Sequence, residues 1–446
     1  MEADVIVIGG GMAGTTAALK AASLGADVIL IRKGQGSTAM SSGTIDIAGP
    51  EKFLPLDSWG EVPRVSDRLK EILRVNPLHP YSIVAGGRSG IDLLCEQLSQ
   101  ATEFLLHKIP RFQMYGSCDQ NIALPTVLGT AKFSSFAARS LSEGNLCAMR
   151  DAQVLLVGIS GLMLFQPRIC RQTLARYSSL HPPRPVERVE IIEAIIPHSM
   201  NALPSAPFEI ARYLDEPQAA GHFAKVVRAN MPAGINHVAL PPVLGLDNHE
   251  ETFDIFSREI GKKVFELISP TFSVPGYRLQ RALESSLREN RVRILNDEVL
   301  DAKREGRKIR NLILKGRKSK RTAAAENYVL AAGKFNSGGI LTNDFPIEPI
   351  FDLPLFCKDN RADARFMQDL LNWTVEGKQL LFSCGIHIDG QLRPLSPFGE
   401  PVYENLYAAG SIIGEYDYVA DKCGLGVAIL TGYIAGVQAA AKGARP

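Results

Sequence analysis

Three glycines near the start of the chain, Gly9, Gly11 and Gly14, have the type and spacing needed to bind a diphosphate. They lie in Gly9-Gly10-Gly11-Met12-Ala13-Gly14, directly after the apolar run Val5-Ile6-Val7-Ile8 and before a helix-forming stretch from Thr15 to Leu24. Gly25 stops that helix, and Ala26-Asp27-Val28-Ile29-Leu30-Ile31 reads as a second buried strand. Strand, glycine turn, helix and strand within about thirty residues is the context that gives a G-x-G-x-x-G pattern its meaning. Gly9 permits the tight turn, Gly11 lets backbone approach a diphosphate, and Gly14 lets the helix lie close to the strand. The free N–H groups of the helix start, around Met12 and Ala13, then hold the anion. The end of the second strand normally offers an acid to an adenosine ribose. Arg32 and Lys33 stand there instead. Arg32 has the chemistry to meet a phosphate or stack on adenine, and the alternative is a solvated strand end.

A second group of small residues lies far along the chain. Tyr328 to Gly333 is an apolar strand ending in Ala332-Gly333, and Asn405 to Gly410 is another with the same ending. Ser411 follows Gly410 where such strands commonly carry Asp. Gly424-Leu425-Gly426 then opens a small-residue helix, Val427 to Lys442, whose Ala428, Gly432, Ala435, Gly436 and Ala439 allow close packing. A fingerprint at one end with a glycine-rich strand-turn-helix at the other is how flavoproteins divide the work. The first turn holds the ADP part, and the dipole of the last helix faces the flavin pyrimidine. Ser41, Ser42 and Gly43, in a hydroxyl-rich segment after the second strand, suit contact with a flat ring. A surface loop is the competing reading.

These elements imply an α/β fold: a Rossmann-like, two-part flavin-binding domain with an inserted α+β cap. The expected parts are 1–50 and 269–446 for the flavin domain and 51–268 for the cap, whose sequence does not repeat the strand–helix rhythm. Helices are expected over Ser89 to Lys108 and Arg278 to Arg291, a strand at Val292 to Leu295, and a hairpin over Asp301 to Leu314. The prolines around Pro182 and Pro183 mark a linker or surface loop. Forty-nine basic against 47 acidic residues in 446 give a net charge of +2, too little to attract nucleic acid. Seven scattered cysteines contain no C-x-x-C pair, so no disulfide framework, iron–sulfur cluster or metal site is expected. The N-terminus lacks a basic leader, and no uncharged apolar stretch of 18 residues is evident, so a cytoplasmic chain is expected.

Several segments then carry a likeness. Ser41 to Asp46, Leu124 to Thr130, Pro241 to Leu246, Ser273-Val274-Pro275-Gly276-Tyr277-Arg278-Leu279 and Asn405 to Gly426 resemble the B-subunit family of anaerobic glycerol-3-phosphate dehydrogenase. More distantly, the chain resembles fumarate reductase-like flavoproteins. The resemblance implies a flavin-bearing member of a complex with two partners. One is the A subunit, which is a catalytic flavoprotein; the other is the C subunit, which holds iron–sulfur centres and anchors the complex to the membrane. It further implies peripheral association with the inner face of the cell membrane through a partner. It also implies FMN, whereas the glycine fingerprint favours FAD, which has the diphosphate.

Oxidising a secondary alcohol needs a base and a cationic clamp for the phosphate. His387, in Cys384-Gly385-Ile386-His387-Ile388-Asp389, is the candidate base, and Arg278 and Arg393 are candidate clamps. A structural histidine in an apolar strand is the competing reading. Cys423, beside the glycine turn, has a place near the ring or in simple packing. Three functions stay open: an electron relay within a complex, a free-standing dehydrogenase or reductase of a small hydroxy or unsaturated acid, and a non-catalytic flavin scaffold. The basic run Lys315 to Arg321 suits either a solvated turn or docking to an acidic surface.

Overall fold

The computed structural model describes the chain apart from residues 51–61, 63, 181–183, 197–205, 271–272, 316–319, 359, 375–378 and 442–446. The run Val5-Ile6-Val7-Ile8 shows no polar alternation because it is covered on both faces, as parallel strands are. Its strand, Glu2–Ile8, pairs in parallel with Val28–Arg32 on one side and with Lys320–Leu330 on the other. Arg293–Asn296 extends the sheet beyond Val28–Arg32, and Leu406–Ala408 pairs in parallel with the last residues of Lys320–Leu330. The first part of that long strand instead carries the antiparallel hairpin Glu298–Glu305 and Lys308–Lys315. One seven-stranded sheet therefore joins the first and last parts of the chain.

The fingerprint helix, Met12–Ser23, and the closing helix, Gly424–Ala441, pack tightly against each other. A Cβ on Gly432 would lie 2.4 Å from Ala13 O, so only a side chain of hydrogen fits there. The closing helix corrects one expectation. Its 18 residues carry no charge and, with a mean hydropathy of 1.5, are long and apolar enough to cross a membrane. Yet 61% of that stretch is buried within the protein, and a helix apolar all round is what a core position requires.

The middle of the chain also differs from expectation. Ala152–Ile159 pairs in parallel with Val186–Ala194 and His237–Leu240, and Lys263–Glu266 adds in parallel outside the latter. Helices Pro167–Ser179, Pro217–Ala229 and His249–Ile260 run between these strands, with their own apolar core. The strand–helix rhythm is present after all. It is hidden because Val186–Ala194 is a charged edge strand and the other two flanking strands have four residues each. Helices Val65–Val75 and Ile91–Lys108, by contrast, bury Leu69, Leu73, Leu98 and Leu105 in the core of the large sheet.

The proline linker falls partly outside the described residues, as does the centre of the basic run. At the run's ends, Lys315 pairs with Glu298 and Arg321 with Asp297.

Candidate functional site

The fingerprint turn is built on backbone-to-backbone contact. Gly9 has φ +118°, and a Cβ there would lie 2.1 Å from Ala331 O, on the neighbouring strand. A Cβ on Gly14 would lie 2.0 Å from Gly9 O. Gly11 is more open, with Thr38 Oγ1 at 3.6 Å the nearest atom to such a Cβ. The first helical bond runs from Thr15 N–H to Gly11 O, and Met12 N–H donates to Thr38 Oγ1 at 2.9 Å. Among the described residues, the amides of Ala13 and Gly14 have no acceptor. They are the unsatisfied donors every helix start presents. Thr38 was not singled out by sequence reasoning, although it lies in the hydroxyl-rich segment.

Two distant turns close on this place. Ser37 Oγ and Ser337 Oγ lie 3.1 Å apart. A Cβ on Gly333 would come within 2.7 Å of Ser337 Oγ and 3.7 Å of Ser411 Oγ, and Ala332 N lies beside Gly9. Gly410 N–H donates to Thr431 Oγ1 of the closing helix at 2.9 Å. Ala332, Gly333, Gly410 and Ser411 thus lie near the fingerprint.

The segment with Ser41, Ser42 and Gly43 is clamped to the start of helix Val274–Glu289. Gly43 has φ +74°, and a Cβ there would lie 2.5 Å from the Pro275 carbonyl carbon. In return, a Cβ on Gly276 would lie 2.2 Å from Ser41 O. This contact gives Val274-Pro275-Gly276 a physical reason: proline pre-sets the first helical turn, and glycine admits the facing loop. Just beyond, Gly426 N–H donates to Asp46 O at 3.0 Å. The amides of Gly424 and Leu425 have no acceptor among the described residues, so the closing helix also begins with free donors. Lys132, from a facing hairpin, donates to both carboxylate oxygens of Asp46 at 2.7 Å and to Ser134 Oγ at 2.9 Å. Its spacing from Asp46, 86 residues away, gave no signal in the sequence.

A buried polar cluster surrounds the start of the closing helix. His79 Nδ1 accepts the Tyr81 N–H at 3.1 Å, so its proton is on Nε2, which faces Cys423 Sγ at 3.8 Å. Burial first, then Arg68, pulls His79 down to about 3, and burial holds the Cys423 thiol well above its ordinary value. His79, Asp421 and Cys423 lie close enough to suggest a metal site, with candidate ligand atoms within 4.8 Å of one another. A neutral imidazole with Nδ1 capping a helix has no lone pair left for a cation. Beside them the buried Lys334 donates to Phe382 O at 2.5 Å and lies 5.1 Å above the Tyr416 ring. Burial pulls its ammonium down to about 8.

His387 sits in the wall of an apolar cavity of about 50 Å³, among Ile386, Ile388 and Ile413. Its Nε2 lies 2.9 Å from Glu415 Oε1, and its ring stacks on Phe356 at 3.9 Å and 13°. Glu415 holds φ +63°, an uncommon backbone conformation for a side chain of that size. The expected clamps are engaged elsewhere. Arg278 is buried, donating to both oxygens of Glu266 at 2.6 and 3.1 Å and to Gly245 O at 2.8 Å. Arg393 donates to Asp389 of its own hairpin, from Nε at 2.8 Å, with Nη2 at 2.7 Å. At the other end, Arg32 donates to Glu284 and Asn296, and Lys33 to Glu298.

Comparison with known proteins agrees with this geometry. The FAD binding domain family matches residues 4–427. A probable anaerobic glycerol-3-phosphate dehydrogenase B subunit from Halobacterium salinarum is 30% identical, covering 99% of this chain and 98% of its own. This chain belongs to that B-subunit family. The B subunit from Actinobacillus pleuropneumoniae is 28% identical over 97% of each chain. Among solved structures, an open flavocytochrome c3 fumarate reductase covers 100% of this chain and 79% of its own at 12% identity, with a TM-score of 0.45.

The match to the FAD binding domain family supports a flavin cofactor in the form of FAD. The residues present fit it. The free amides of Ala13 and Gly14, with the Thr38 hydroxyl, suit a diphosphate, and the free amides of Gly424 and Leu425 suit the acceptor edge of a ring.

Proposed function

We propose that this chain is the flavin carrier of a glycerol-3-phosphate dehydrogenase-like complex, relaying electrons from a catalytic flavoprotein partner to an iron–sulfur partner. The observation that carries this reading is a contrast within the site. The backbone donors suited to FAD are free, whereas both arginines suited to a substrate phosphate are bound to acids of their own. Bound FAD supplies the redox chemistry. In this reading the protein's own groups do simpler work. Ala13, Gly14 and Thr38 hold the diphosphate, Ser41, Ser42 and Gly43 lie against the ring, and the start of the closing helix favours negative charge on its pyrimidine edge. Arg278 and its buried acid fix the cap, for which we take the second sheet and its helices, over helix Val274–Glu289. Membrane association comes through the partners.

A second reading rests on His387. Oriented by Glu415 and stacked on Phe356, it has the form of a general base in an apolar site. A free-standing dehydrogenase would use it to take a hydroxyl proton. The two readings separate on anaerobic mixing with glycerol 3-phosphate. The relay predicts that the flavin absorbance of the isolated chain persists and bleaches once the catalytic flavoprotein partner is added. Bleaching by substrate with no partner, lost in His387→Ala, would establish the second reading instead.

A further inference from the structure

The end of the second strand holds an arrangement that the fingerprint alone does not explain. A dinucleotide fold presents a carboxylate there to a ribose diol, and this chain has Arg32. The arginine does not extend into solvent. It crosses the fingerprint turn, its Cδ 2.8 Å from where a Cβ on Gly10 would stand. Its Nη1 donates to Glu284 Oε1 at 2.5 Å and its Nε to Asn296 Oδ1 at 3.0 Å. The side chains of the pair are 13% and 5% exposed. Glu284 belongs to helix Val274–Glu289, one turn after Gln280, whose Nε2 donates to Gly10 O at 3.0 Å and to the same Glu284 oxygen at 3.4 Å. A carboxylate has therefore been carried to the fingerprint turn by another element.

That carboxylate retains capacity. Among the described residues, Glu284 Oε2 takes part in loose ion pairs with Arg281 and Arg288, at 3.8 and 3.9 Å, beyond hydrogen-bond length. Next to it, Gln280 Oε1 is buried with no donor. An orphaned buried acceptor costs about 1–3 kcal/mol, which a bound donor relieves. One orphaned acceptor, Gln280 Oε1, and a carboxylate oxygen held only by loose ion pairs, both beside a diphosphate turn, match a ligand whose next group carries hydroxyls.

We propose that Glu284 is the acceptor for the adenosine ribose of FAD, replacing the acid missing from the strand end, with Arg32 as the residue that positions it. The proposal rests on FAD being the ligand of the fingerprint. Its chemistry discriminates between the two flavin nucleotides, because only FAD carries the adenosine ribose.

The test is titration of the full-length chain, freed of flavin, with FAD and with FMN separately, followed by flavin fluorescence. Wild-type chain binds FAD more tightly than FMN. Glu284→Gln, which preserves shape, weakens FAD on the order of 10-fold, the scale of hydrogen bonds to a charged group, and leaves FMN unchanged. The exchange Arg32→Glu/Glu284→Arg keeps the ion pair, returns the acid to the strand end, and keeps the preference for FAD. It also guards against a variant that fails only through a broken pair. Equal affinity for FAD and FMN in the wild type, or an unchanged FAD-to-FMN ratio in Glu284→Gln, would overturn the proposal and make the ion pair a plug at that end. Binding of neither nucleotide would overturn the FAD assignment along with it.

Discussion

At the residue scale, the site divides into glycines that admit backbone and titratable groups kept out of water. Gly9, Gly14 and Gly43 were legible because each needs a turn or a close approach that a side chain would block, and Gly11, whose surroundings are open, was legible from its spacing. Their neighbours were not. Glu415, Lys132, Glu266 and Glu284 are ordinary charged residues in sequence, and only folding brings them to His387, Asp46, Arg278 and Arg32. The same blindness made Arg278 and Arg393 look available as clamps. Two buried histidines give this scale its test. Burial, then arginine neighbours, pulls His79 from 6.5 to about 3 and His249 to about 4. Both folded values lie below the unfolded one, so the unfolded chain takes up protons first as pH falls. Stability therefore declines below about pH 6.5, by up to about 1.4 kcal/mol per pH unit for each histidine. Urea unfolding at pH 7.5 and 5.5 should show the loss, and His79→Asn, which retains a cap for Tyr81, should lessen it. An equal loss in the variant would mean His79 is not held neutral by the fold.

At the element scale, the first strand–turn–helix–strand unit, helix Ile91–Lys108 and the hairpin before Lys320 stand where periodicity put them. The second parallel sheet was illegible because its strands are short or carry edge charges, and the closing helix was mistaken in its hydropathy because burial and membrane insertion demand the same composition. Helix Val274–Glu289 ties the elements together. Its first turn receives the Ser41 loop at Gly276, Arg278 ties it to Glu266 of the second sheet, and Gln280 and Glu284 reach the fingerprint. Adding one methyl at Gly276 should push on Ser41 O, from 2.2 Å away. Gly276→Ala is expected to cost about 1–3 kcal/mol, the usual range for overpacking, and to loosen flavin with it. Thermal melts with and without added FAD measure both effects. An unchanged melt with full flavin retention would show that the loop is not seated on this helix.

At the scale of the whole molecule, the chain uses its two ends for one purpose. The N-terminal fingerprint and the closing helix, some four hundred residues apart in sequence, pack on one another and leave free backbone donors at both of their starts. The second parallel sheet is joined to helix Val274–Glu289 by a buried ion pair, Glu266 with Arg278. That organisation supports FAD lying across both ends, and the proposed carrier role adds to it the pairing of Arg278 and Arg393 with acids of their own. The most direct check is the visible spectrum of the purified full-length chain, followed by identification of the nucleotide released by acid. The expected result is an oxidised-flavin spectrum with FAD released in one-to-one proportion. A chain that is colourless, and stays colourless after incubation with FAD, would contradict it.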